Sequence, residues 1–448
     1  MAFIIEAVAT DHSWAPLTLK ADHFGKNVFS LIVGQNATGK SRLLRKIASH
    51  YIFDNEQALD RERYSKNDDS TSWSYYNSLP PSEEIILAPY SDESPSIVIA
   101  VSTGRHDRFP RPRETMSLFE RYHYIAPSEH GNLSSLTRSL TSIISGLEAH
   151  HWKFSSLANI FEYLDFEPIL DFNISLDSKF KQFWRKQTAE EQSIIEWGGI
   201  NHSTNKKTGQ DQLIIDRLYP ILDYINKRKS INYEIDLKYG GRTHHAFDLR
   251  ELAYALEHGA VRVTDLTLNL KSTKTRLRLS QASSGQQCML VMILGIAGSI
   301  QDNALICIDE PEISLHPKWQ TDIIGHLQKA FEEYRGCHFI IATHSPQIVA
   351  GLTSDNGYVL SIEDRNIYRS YEYANRSADF QLAQVFNTPG FNNEYLIRIT
   401  LMLLSKITNR AKLSYEDEQH IAMLSDIKET LSSRDPVRHL IDQVQMLR

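Results

Sequence analysis

The stretch GQNATGKS, residues 34 to 41, combines the residue types that hold a phosphate chain at the spacing that chemistry needs. Glycine lets a backbone curl until several N–H groups face one anion, and a lysine one turn later reaches the outer phosphates. The neighbouring hydroxyl takes a place on Mg²⁺. Gly34, Asn36, Gly39, Lys40 and Ser41 are therefore the candidate phosphate-binding residues, in the P-loop pattern.

Three further stretches carry chemistry. The apolar run LICI ends in Asp309 and Glu310, where one carboxylate could support a metal and the other accept a proton from water. Alone, the pair could equally cap a strand in solvent. QASSGQQ at 281–287 precedes the apolar run CMLVMILGIAG, so Ser283, Ser284, Gly285 and Gln286 stand at a helix start, either as a second anion site or as an ordinary N-cap. FIIATHSP places His344 at a strand end, as a hydrogen-bonded structural residue or as a sensor of a γ-phosphate.

Patterning indicates the elements that carry these residues. Residues 2–8, 16–20 and 28–33 read as strands, the last feeding the glycine loop, and SRLLRKIASHYI then has the spacing of an amphipathic helix. A polar connection is expected from 54 to 84, and a strand at 95–102. Residues 132–235 are mostly helix-like, broken by a polar tip at 198–210. Strand patterning returns at 231–239 and 263–280 and in the buried runs NALICIDEP and CHFIIATHS, and helical periodicity takes over beyond 370.

The succession GQNATGKS, QASSGQ, ALICIDEPEISLHP and IIATHSP resembles the Walker A, signature, Walker B with D-loop, and H-loop motifs of ABC-type ATPases. It is most similar to the branch holding the SMC, RecF and OLD-type proteins. The resemblance implies an α/β fold: an ABC-type P-loop ATPase head with a mixed sheet, a helical insertion between Walker A and signature, and a C-terminal helical domain. The expected divisions are 1–130 and 236–370 for the two lobes of the head, 131–235 for the insertion and 371–448 for a partner-binding region.

By the same resemblance Lys40 and Ser41 hold ATP and Mg²⁺, Asp309 supports the metal, Glu310 is the general base and His344 stabilises the γ-phosphate. Ser283, Ser284, Gly285 and Gln286 would touch the ATP of an opposite subunit, which implies a head-to-tail dimer. Two positions depart from the pattern. Ala37 stands where many relatives have glycine, and no Q-loop glutamine is evident at the end of SIVIAVS. Either Ser102 does that work or the metal's coordination is incomplete, with slow hydrolysis as the consequence.

Composition bounds the rest. The chain has 448 residues, 41% hydrophobic and 23% charged, with a formal net charge of −7, which suits a soluble protein and argues against a surface coated throughout by nucleic acid. Cys288, Cys307 and Cys337 are too far apart for a zinc site and suit a reducing compartment. The first residues lack a basic leader, and no run reaches the roughly 18 apolar residues a membrane span needs, so a cytoplasmic protein without a membrane partner is expected.

The span from Ser41 to Ser283 lacks sustained heptads, which excludes a long coiled coil. DFEPILDF at 165–172 is too apolar to suggest a nuclease centre, so nuclease activity is expected from a partner. The wording around the motifs resembles the ATPases of bacterial anti-phage systems, first that of Septu, which pairs with an HNH nuclease, and next that of PARIS. The competing expectations are a RecF-like repair ATPase and an ATP-binding switch with little turnover. The first would contact DNA through Arg108, Arg111, Arg113, Lys271, Lys274 and Arg276.

Overall fold

The computed structural model describes residues 2–10, 14–19, 25–53, 85–104, 108–110, 121–126, 132–149, 152–178, 181, 209–239 and 247–447. The expected connection at 54–84, most of the tip at 198–210, and Arg111 and Arg113 lie outside them.

Seven strands form the main sheet, in the order β14 (Ile367–Arg369), β13 (Gly357–Ser361), β3 (Val28–Val33), β12 (His338–Thr343), β11 (Leu305–Asp309), β5 (Val98–Ser102) and β6 (Tyr122–Ile125). All neighbours run parallel except the edge pair β13 and β14, so the sheet is mixed. Strands β3, β5, β11 and β12 are buried along their whole length, as expected of parallel strands covered on both faces. Their alternation splits them between two cores. Ile32, Ala100, Cys307 and Ile340 face Leu43, Leu44, Ile47 and Ala48 of α1 (Lys40–Phe53). Leu31, Val101, Ile308 and Ile341 share the larger core with the helices that come after the other motifs.

Register matters most for the site. Val33 pairs with Thr343, and Asp309 pairs with both Ala342 and Ser102. The strands thus end level, and the segments leaving them meet along a single edge, where open α/β sheets hold their ligands.

An antiparallel sheet of β10 (Arg276–Arg278), β9 (Val261–Asn269), β7 (Ile169–Leu176) and β8 (Ile231–Asp236) packs with α2 (Asn132–Ala149), α4 (Gly209–Arg228) and α5 (Leu249–Glu257), while α3 (Trp152–Tyr163) lies against α2. Strand β7 lies where helix was expected. Leu170, Phe172, Ile174 and Leu176 are buried at a spacing of two, a strand period that the helical patterning on either side obscures. A third sheet joins β1 (Ile5–Ala9), β2 (Trp14–Pro16) and β4 (Ile85–Leu87). Helix α6 (Ser284–Ser299) packs on α2 and against β5 and β6 of the main sheet, and is buried on nearly every side.

Beyond the main sheet, α11 (Glu394–Thr408), α12 (Tyr415–Lys428) and α13 (Pro436–Leu447) surround their own core of Leu396, Leu403, Leu424, Val437 and Ile441. Phe380 of α10 (Ala378–Gln384) links it to the sheet through Tyr373 of α9 (Ser370–Tyr373), with ring centroids 5.8 Å from Tyr373 and 4.9 Å from Tyr395. The three cysteines are buried free thiols, and burial pushes Cys288 and Cys337 up to about 12. Among the described residues, no helix is long and apolar enough to cross a membrane.

Candidate functional site

Five of the residues singled out by chemistry meet at the level ends of β3, β11 and β12. Lys40 opens α1, and its side chain folds back so that Nζ donates to Gly34 O at 2.9 Å and Gln35 O at 2.7 Å. The lysine is only 4% exposed, and burial lowers its pKa to about 8 against the attraction of Glu310, Glu312, Asp309 and Glu363. Gly39 has φ 101°, a conformation suited to glycine, and a Cβ there would meet open space: the loop, not the surrounding packing, demands this residue. Ala37 does adopt the left-handed backbone the pattern requires, at φ 65°, with the local strain a side chain brings there. Asn36 is exposed on the outside of the loop.

Ser41 Oγ donates to Asp309 Oδ1 at 3.1 Å, which joins the loop to the end of β11. Ser102 stands beside Asp309 in the β5–β11 register, wholly buried, and its hydroxyl finds no hydrogen-bond partner among the described residues. These hard oxygens, one of them buried and unsatisfied, fit a Mg²⁺ ion. Ser41 and Asp309 would hold it.

Glu310 comes directly after Asp309, with φ 52°. Two backbone bonds pin this turn, Glu310 N–H to Ala342 O at 2.9 Å and Thr103 N–H to Asp309 O at 3.3 Å, and the Thr103 hydroxyl donates to Glu310 O. The Glu310 carboxylate contacts His344 Nε2 at 3.2 Å, and this hydrogen bond holds its carboxyl below the usual carboxylate range.

His344 Nδ1 lies 3.2 Å from Lys40 Nζ and 3.0 Å from Gly34 O. Lys40 Nζ also donates to Gly34 O, so lysine, carbonyl and imidazole form one cluster. Nε2 faces the Glu310 carboxylate while Nδ1 faces both Lys40 Nζ and Gly34 O, so the ring spans the space between the lysine and the acid. One histidine therefore connects the lysine of the glycine loop to the acid at the end of β11.

The signature stretch stands apart. Ser283 caps α6 in a reciprocal box: Gln286 N–H donates to Ser283 Oγ at 3.3 Å, and Ser283 N–H donates to Gln286 Oε1 at 3.0 Å. Among the described residues these bonds stay within the cap, and Ser283 and Ser284 are exposed. A Cβ on Gly285 would come within 2.6 Å of Ser314 O, so α6 rests directly on the turn beyond Glu310.

Three residues with a place at the site went unremarked in the sequence. Thr103 holds Glu310, Glu363 accepts the Gln35 N–H at 2.8 Å, and Glu312 accepts from Thr343 and His344. Burial raises the Glu312 pKa. The second carboxylate of DEPE was the available signal for Glu312.

The basic stretch at 271–276 is partly engaged. Arg276 bridges to Asp171 at 2.7 Å and Lys271 to Glu162 at 3.2 Å. Asp171 also accepts from Asn232, and Asp165 accepts from Ser272, so both aspartates of DFEPILDF are tied into structure. Among the described residues, no group of three or more His, Cys, Asp or Glu side chains could hold a metal ion.

A largely parallel sheet whose level strand ends meet a glycine loop opening a helix defines a P-loop nucleotide-binding fold. Residues 29–350 match the family described as "AAA domain, putative AbiEii toxin, Type IV TA system", and the chain belongs to that family.

It is also similar to "Retron Ec83 probable ATPase" of Escherichia coli, 27% identical over 173 residues, which is 36% of this chain and 30% of that protein. "Retron Vc95 probable ATPase" of Vibrio cholerae serotype O1 biovar El Tor is 25% identical over 105 residues, 21% of this chain and 20% of that protein. The chain thus spans less than a third of the length of either curated relative. Among solved structures, the Smc head domain from Pyrococcus furiosus aligns with 83% of this chain and 98% of that one, at 11% identity and a TM-score of 0.31, a likeness that carries no argument.

Proposed function

We propose that this protein binds ATP with Mg²⁺ and hydrolyses it, and that turnover regulates a partner nuclease in anti-phage defence. The observation that carries the catalytic part is the convergence of Lys40, Ser41, Asp309, Glu310 and His344 on one edge of the sheet. Lys40 exchanges its carbonyl partners for the outer phosphates. With one Glu310 oxygen bonded to His344, the other accepts the proton of the attacking water. Bound Mg²⁺ would neutralise charge on the phosphates.

The exposed start of α6 supports a site completed by a second copy, whose Ser283, Ser284, Gly285 and Gln286 meet the γ-phosphate head to tail. The defence setting is supported by the family description, which names a toxin of a Type IV TA system, and by the retron relatives. The nuclease partner rests on the resemblance to the Septu and PARIS ATPases, and α11 to α13 supply the surface for it.

Phosphate release tests the catalytic reading. Glu310→Gln is expected to lower turnover by about 100-fold or more while ATP still binds. Unchanged turnover in that variant would remove Glu310 from the role of base. Expression with the neighbouring genes intact tests the partner: a stoichiometric nuclease is expected to co-purify, and its absence would detach the nuclease from the reading.

A further inference from the structure

Glu312 lies two residues beyond Glu310, in the turn between β11 and α7 (Pro317–Ala330), and its side chain reaches back to the end of β12. One oxygen accepts the His344 backbone N–H at 2.6 Å, and the other accepts the Thr343 hydroxyl at 2.9 Å. Thr343 is wholly buried and in turn accepts the Ser345 N–H at 3.0 Å. Gln320 of α7 closes the same junction, accepting the Ser345 hydroxyl at 2.7 Å and donating to Leu315 O at 3.0 Å. The two turns that carry Glu310 and His344 are therefore fastened by side chains as well as by the sheet.

The bonding explains why a carboxylate stands here. Both of its oxygens face donors, and a carboxylate is the acidic side chain's acceptor-only form. Glutamine would serve one donor but turn an N–H₂ group toward the other. Aspartate is one methylene short of the reach. Fixing the His344 backbone leaves the imidazole only its own two torsions, and its contacts to Glu310 and Lys40, both 3.2 Å, are long enough to be lost with a small displacement.

We propose that Glu312 is a positioning residue: by holding the backbone of Thr343 and His344 it sets the imidazole between Lys40 and Glu310, and so orients Glu310 toward the attacking water. The inference rests on the ATP hydrolysis proposed above, and it makes a statement about His344 that holds without turnover.

The test uses the full chain with ¹⁵N-labelled histidine, His344→Gln identifying the ring signals of His344. The wild type is expected to show a single set of ring signals for His344, and Glu312→Gln to move those signals. In parallel, Glu312→Gln and Glu312→Asp are expected to lower kcat for ATP by about 10-fold to 100-fold with KM changed by less than about threefold. In a His344→Ala background, Glu312→Gln is expected to cost less than about twofold more, because a group that acts through His344 has nothing left to position. Unmoved ring signals in folded Glu312→Gln, or an equal loss of kcat with and without His344, would overturn the proposal. A wild type that shows the expected ring signals but no phosphate release would overturn the hydrolysis reading instead and leave the placement of His344 standing.

Discussion

At the P-loop, an amide that could serve an anion already faces a carboxylate: Gln35 N–H donates to Glu363 Oε1, on the turn between β13 and β14. A negative side chain there opposes incoming phosphates by charge while it occupies a donor. Glu363→Gln keeps an acceptor and removes the charge. It is expected to tighten ATP binding by about twofold to fivefold, the scale of about 0.5 to 1 kcal/mol for a partly exposed charge, as read by calorimetric titration. Weaker binding would mean that Glu363 supports the loop instead of opposing its ligand. The residues that sequence could reveal are those whose chemistry is local: Lys40 and Ser41 by spacing, Asp309 and Glu310 by their strand end, His344 by its place after an apolar run. Glu363 and Thr103 were not legible in that way, and Glu312 showed only as the second carboxylate of DEPE. Their partners lie 328, 207 and 32 positions away, and strand order alone brings them together.

The elements show why short motif wordings were readable. In SLHP, His316 caps α7 through Lys318 N–H at 3.3 Å, and Pro317 takes the first helical position. In HSP, Ser345 and Pro346 do the same for α8 (Pro346–Ala350), with Ile348 N–H on Ser345 Oγ at 3.4 Å. Both spell a helix start, because a missing N–H does no harm there and the fixed φ suits it. Strand β7 stayed hidden for the opposite reason: its partners β8 and β9 are distant in sequence, and no turn signal announces the pairing. The C-terminal helices carry a pH signature of their own. Lys406 Nζ bonds both oxygens of Asp417 at 2.7 and 2.9 Å, and with Ser414 N–H at 2.8 Å this pushes the Asp417 carboxyl down to about 2. A depressed carboxylate stabilises fully above its ordinary value of 3.8 and loses that effect as pH falls through about 2. Acid titration followed by circular dichroism is expected to show helix loss in that window, and Asp417→Asn to flatten it. An unchanged acid transition in the variant would place the acid sensitivity elsewhere.

Across the molecule, the separation of the α6 start from the Lys40 cluster makes a prediction that no single chain can satisfy. If each site combines the P-loop of one copy with the signature of another, a chain lacking one half can be rescued by a chain lacking the other. Lys40→Ala removes the phosphate-binding half. Ser284→Arg blocks the signature half and is preferable to changes beside it: Ser283 is the cap of α6, and Gly285 rests against Ser314, so either of those would injure the chain's own fold. Each variant alone is expected to be inactive. Mixed in equal amounts and allowed to exchange, half of the dimers are heterodimers, and each has one intact site of two. About a quarter of wild-type turnover is the expected recovery, by random pairing of copies in a closed two-fold assembly. The same dimer should appear as a doubling of the 51.4 kDa mass when ATP and Mg²⁺ are added to Glu310→Gln, which is expected to hold nucleotide without consuming it. If two such variants each bind their partner copy but recover nothing on mixing, the site is not shared between two copies in this way.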